Sequence, residues 1–191
     1  MAIESGHSPI ASGPRWLSLA ALLFVAACSQ TGGPASQTPP PGEWVTFEGS
    51  WTAAGTRRTL YLEPDHRAAI FDLTGSLLLT GAERFAVGFQ AHAIGFSDSR
   101  AGMEGRCVWT DERGDKVYSE LKGQAVGSGN HIVGTFTGGT GRYAGVTGEY
   151  AFQWQYVIEA EDGVVGGRAV DLRGRVRLRS SAPSPVGAQG R

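Results

Sequence analysis

Tyr150, Phe152, Trp154 and Tyr156 occupy alternate positions of one segment, with Gln153 and Gln155 between them. A spacing of two places all four rings on one face of a β-strand. The chemistry such a row can do is binding. On the inner wall of a closed barrel it either fills the interior or lines a site for a small apolar or amphipathic ligand. Two phenol hydroxyls and an indole N–H need partners when buried, which suits a cavity with a few polar points. Gly75, Ala91 and Ala93, small residues in other segments, leave room for one.

The remaining candidates carry less. Cys107 as a nucleophile needs an adjacent base, and no local motif supplies one, so it reads as a small buried hydrophobe. His66, His92 and His131 are far apart without metal-ligand spacing, and isolated wall or surface histidines are expected. Asp111, Glu112 and Asp115 around Gly114 have the make-up of an acidic hairpin turn; their spacing is not that of an EF-hand. Gly139, Gly141 and Gly145 lack the strand–loop–helix context of a phosphate cradle. Arg173, Arg175, Arg177 and Arg179 alternate on one strand face, to be solvated or paired with Glu48, Asp72 or Glu120, or to meet an anionic lipid surface. No cofactor, no metal and no catalytic residue is assigned.

The elements that must hold these residues are strands. The chain has 191 residues with 29 glycines, yet Pro64 is the single proline between Glu43 and Arg179. Proline removes a ladder donor and is excluded from central strands, so glycine without proline suggests strands joined by tight turns. With 17 basic and 18 acidic residues there is no broad basic field for nucleic acid. Period-two alternation recurs: Val45, Phe47 and Trp51; a short strand from Thr59 to Leu62; Phe71 to Leu79; Phe85, Val87, Phe89, Ala91 and Ala93; Cys107 and Trp109; Val117 and Leu121; Ile132 and Phe136; then the aromatic row. The last strand sets Val170, Leu172, Val176 and Leu178 against the arginines. This predicts an all-β domain over residues 43–179, an eight- or nine-stranded antiparallel closed β-barrel, since closure removes exposed edges.

Before the barrel, Arg15 leads an apolar run from Trp16 to Ala27 that would rise only about 18 Å as a helix, short of a membrane span. Such a run after a positive residue describes a secretory signal over residues 1–27. Val25-Ala26-Ala27-Cys28 resembles the lipobox of bacterial lipoproteins. By that resemblance Cys28 is lipidated and anchors the chain, and Ser29 after it implies an outer membrane, with the barrel facing the periplasm. Residues 28–42 read as a disordered tether and 180–191 as a disordered tail, because neither holds enough apolar surface to offset ordering entropy.

Gly138-Gly139-Thr140-Gly141-Arg142-Tyr143-Ala144-Gly145-Val146-Thr147-Gly148 resembles the GGTGRYAG signature of allene oxide cyclase barrel-like and dirigent-like proteins. The resemblance implies an eight-stranded, calycin-like barrel, and Tyr143 is expected to tuck over one barrel end. The catalytic residues of the plant cyclases match no position here. Three readings follow. The barrel binds a small ligand through the aromatic row, or it moulds a bound substrate as a cyclase or isomerase with Glu149 the nearest carboxylate on the wrong face. Alternatively it has a filled interior and a structural role, with oligomerisation left open.

Overall fold

A computed structural model describes residues 42–81, 84–124 and 129–179. The signal segment, Cys28, nearly all of the tether and the tail fall outside the described residues. Alternation becomes eight strands: β1 (Trp44–Glu63), β2 (His66–Thr80), β3 (Gly88–Asp98), β4 (Gly102–Thr110), β5 (Lys116–Gly123), β6 (Asn130–Gly139), β7 (Thr147–Glu159) and β8 (Val164–Arg177). Each pairs antiparallel with the next, and β8 returns to β1, closing an up-and-down barrel.

Three local expectations are corrected. Thr59–Leu62 is not a separate strand. β1 runs through it, because Gly55 lets the backbone lie against the Asp72 carbonyl of β2 without a Cβ in the way. The β1–β2 ribbon therefore projects past the barrel rim, leaving Leu60, Tyr61 and Leu62 exposed. The strand expected from Phe85 begins at Gly88 instead. Phe85 folds inward from the loop onto Phe47, at 5.3 Å between ring centroids, while Val87 faces solvent. Val170 and Leu172 do not share a face. An extra residue on β8, with Asp171 at φ 53°, makes a bulge, so Ala169 and Val165 point inward below it and Leu172 and Val176 above it. Asp tolerates this left-handed backbone better than most residues.

The interior is filled. Phe47, Phe89, Trp109, Phe136 and Tyr150 form one aromatic layer, with Trp109 at 4.7 Å from Tyr150 and 5.2 Å from Phe136 between centroids. Trp51, Phe71, Met103, Phe152 and Trp154 form a second. The spaces left between side chains measure about 20 and 10 Å³, one water's worth at most. So many rings fit because several sit on glycines of a neighbouring strand: Phe71 on Gly95, Tyr150 on Gly134, Trp154 on Gly167 and Phe47 on Gly174. The glycine excess thus serves ring seating inside strands as well as turns.

One barrel end is closed by the glycine-rich segment. Gly141–Tyr143 makes a single 3-10 turn, and Tyr143, fully buried, meets Phe89 at 5.6 Å and Phe85 at 6.1 Å. The expected tuck over the barrel end is what the structure shows. Asp111 ties this turn to the β4–β5 hairpin, its Oδ1 accepting the N–H groups of Arg113 and Asp115 and its Oδ2 lying 2.7 Å from Arg142. Arg173, Arg175 and Arg177 face outward. Arg173 pairs with Glu48 at 3.7 Å and Arg175 with Glu149 at 2.7 Å, whereas Asp72 and Glu120 pair with His92 and Arg106 instead.

Candidate functional site

Strand β7 carries the aromatic row from the barrel middle to its far mouth. Tyr150 and Phe152 are deep in the packed interior, their rings stacked at 6.2 Å. The Tyr150 hydroxyl shares a 2.8 Å hydrogen bond with Ser119 Oγ, so its polar atom is satisfied inside the core. Burial raises this hydroxyl's pKa well above the ordinary value for tyrosine. The same burial pushes the neighbouring Cys107 thiol up to about 12. A thiol so protonated is no nucleophile, and Cys107 is part of the core.

Trp154 and Tyr156 lie nearer the mouth. Trp154 meets Trp51 of β1 at 5.3 Å and Tyr156 at 5.7 Å. Strands β1 and β7 are brought into contact across the barrel by β8, which pairs with both. Tyr156 is half-buried under the Arg57 guanidinium, 4.9 Å from the ring centre, and Arg57 is held at 2.7 Å by Glu159. Burial raises the Tyr156 hydroxyl's pKa, with Arg57 pulling the other way. At this mouth Trp51 Nε1 is buried without a hydrogen bond, and Trp154 Nε1 and the Tyr156 hydroxyl close none of good geometry, although Trp154 and Arg57 both approach that hydroxyl. Beneath the two indoles lies the 20 Å³ space, bounded also by Phe71, Met103 and Phe152. Past the mouth, Tyr61 is exposed on the projecting end of β1, on the same strand face as Arg57, whereas Ile158, in register with Gly166 and through it with Ala54, is turned to the outer wall.

The chain enters the barrel at the opposite end. Gly42 N–H donates to Leu178 O at 3.0 Å, and Trp44 pairs with Arg177 beside the turn that Tyr143 closes. The mouth therefore faces away from the point where the N-terminal segment joins.

The structure separates the other candidates. His66 binds Asp98 at 2.9 Å, His92 binds Asp72 at 2.8 Å, and His131 is exposed on β6. The His66 hydrogen bond, with the N–H groups of Arg100 and Ala101, lowers the Asp98 pKa to about 2. Asp111 is engaged by backbone and by Arg142, while Thr140 Oγ1 accepts from Lys116 N–H at 2.8 Å; both are fastenings of turns. Glu149 is outside the barrel on Arg175.

Sequence reasoning overlooked Trp51 and Arg57. Alternation along β1 does place both on the inner face. Nothing local, however, indicates that β1 faces β7 across β8, so their meeting with Trp154 and Tyr156 was not legible.

No family model and no curated protein matches this chain. Among solved structures it is similar to the pterocarpan synthase dirigent protein GePTS1. The identity is 11%, covering 78% of this chain and 94% of that chain, with a TM-score of 0.44.

Proposed function

We propose that the chain is an outer-membrane lipoprotein, anchored through Cys28 and facing the periplasm, whose barrel binds a small amphipathic molecule at the mouth far from the tether. The observation that carries the binding reading is a cluster of buried donors at one mouth, Trp51 Nε1 with no partner and Trp154 Nε1 and the Tyr156 hydroxyl with no well-formed hydrogen bond. A buried polar group left unpaired costs roughly 1–3 kcal/mol, so an acceptor atom delivered there recovers more than its own hydrogen bond. The ligand class that fits is an apolar body with a carbonyl, carboxylate or phosphate oxygen. The oxygen meets the donors beside Arg57, and the body lies along the inner side of the projecting end of β1, toward Tyr61. Phe152 supports this site from beneath with its ring against Trp51 at 6.3 Å, and Tyr150 stacks behind it at 6.2 Å.

Remaining spaces of about 20 and 10 Å³ do not favour engulfment of a ligand, nor the enclosed chamber a moulding cyclase needs. Glu149, turned outward, gives that reading no carboxylate.

Titrating the full chain with a lysophospholipid and following tryptophan fluorescence tests the site. A saturable shift is expected, with Trp51→Phe and Tyr156→Phe each weakening binding about tenfold, the equivalent of one modest hydrogen bond. Absence of any shift at saturating probe, or unchanged affinity in both variants, overturns it. The anchor is tested separately: Cys28→Ala should leave an unprocessed precursor that takes up no labelled palmitate, and normal maturation would refute the anchor while leaving the mouth site standing.

A further inference from the structure

The outer face of β1–β4 carries a feature that neither the mouth site nor the fold requires. Ile70, Ile94 and Phe96 occur on the adjacent strands β2 and β3, and each is about half exposed, at 51, 50 and 50%. They floor a groove of about 610 Å³. Three neighbouring half-exposed apolar side chains rimmed by charge have the make-up of an interaction site.

Its charges have a definite order. In register across the four strands lie Arg58, Ile70, Phe96 and Glu104. The next row reads Thr56, Asp72, Ile94 and Arg106. Arg58 and Glu104 are both exposed, and neither has an ion-pair partner among the described residues. Three strand spacings, about 14 Å, separate them. An unpaired cation, two apolar side chains and an unpaired anion thus form a line that is its own complement when reversed.

We propose that this face is a self-association surface and that its occupant is a second copy of the chain. A two-fold axis running along the strands, between β2 and β3, sets β1 of one copy against β4 of the other. That operation lays Arg58 of each copy on Glu104 of its mate and Ile70 on Phe96. It also brings Arg106 diagonally across to Asp72, the isologous pattern that closed dimers use. The groove gives the half-exposed apolar side chains of the mate room to insert. Polar Thr74 and His92 bound the patch on the barrel side, which limits the contact to the half of β1–β4 nearer the mouth.

Sedimentation of the full chain at micromolar concentration, with circular dichroism confirming that each variant folds, tests this. The wild-type chain is expected to be a dimer. Arg58→Glu and Glu104→Arg should each raise the dissociation constant at least tenfold, and the double variant R58E/E104R should recover most of the loss, because the swapped row is again self-complementary. Phe96→Ser should give monomer. A wild-type monomer, a dimer indifferent to both charge reversals, or failure of the folded double variant to recover overturns the proposal. A monomer whose lysophospholipid affinity falls on Phe96→Ser assigns the groove to a small ligand instead, and overturns it too.

Discussion

Gly134→Ala is expected to destabilise the barrel by about 3 kcal/mol or more, beyond the usual range for adding one methyl group to a core. Gly134 on β6 stands directly across from Tyr150 on β7, and the phenol ring lies over its Cα. A Cβ at this position would occupy the same space as the ring carbons Cζ and Cε1. A flexible side-chain end would simply move aside. This ring is held by Trp109 at 4.7 Å, Phe136 at 5.2 Å and the 2.8 Å hydrogen bond to Ser119, so displacing it disturbs a packed layer and strands a buried hydroxyl. Chemical denaturation measures the loss. The variant pair G134A/Y150L discriminates the mechanism: removing the ring should make Gly134→Ala much less costly, a coupling of at least 1 kcal/mol between residues in contact. Equal cost in both backgrounds would show that backbone propensity, and not the ring, requires glycine here.

Replacing Asp111 should have the next largest effect. Asp111→Ala is expected to cost about 3 kcal/mol, since it removes a nearly buried carboxylate that fastens two backbone N–H groups and faces a guanidinium. Asp111→Asn keeps an acceptor for the hairpin N–H groups but loses the charge opposite Arg142, and roughly half the effect should remain. The pH dependence separates charge from packing. Burial raises the Asp111 pKa, but the Arg113 N–H, the Tyr143 hydroxyl, the Asp115 N–H and Arg142 together hold it below the ordinary carboxylate value. A lowered folded-state pKa adds stability that is complete above the unfolded value, near about 4, and disappears as pH falls through the folded value. The gap between wild type and Asp111→Asn should therefore be constant at neutral pH and narrow below about pH 4. A gap that persists unchanged in acid would mean that the carboxylate acts by shape alone. Because Arg142 and Tyr143 belong to the turn that closes the barrel end, amide exchange in Gly141–Tyr143 should accelerate first in either variant.

Much of the fold was legible because its determinants are local. Tyr150, Phe152 and Trp154 alternate with glutamines, and alternation needs only the two-residue period of a strand to send them inward. Cys107 was legible as core for the same reason. The turn at Gly138–Gly148 was legible as a motif, and Tyr143 lies where such a turn puts it. Errors arose where one residue changes what alternation means. Asp171 slips β8 by one position and moves Val170 off the inner face. Thr59–Leu62 was read as a strand of its own, although close contact of Gly55 with β2 keeps β1 continuous into it. Phe85 alternates with Phe89 but reaches the core from a loop.

By itself the sequence determined that the domain is antiparallel β, which side chains the unbulged strands turn inward, and that glycine is abundant where proline is excluded. These follow from backbone period and from the missing donor of proline, properties each segment carries alone. Only the tertiary structure decided whether the barrel is open or filled. That depends on which ring faces which glycine, and the register across closed strands sets those meetings: Tyr150 over Gly134, Phe71 over Gly95. It likewise decided that Trp51 and Arg57 of β1 join Trp154 and Tyr156 of β7 at one mouth, because β8 pairs with both strands and closes the ring.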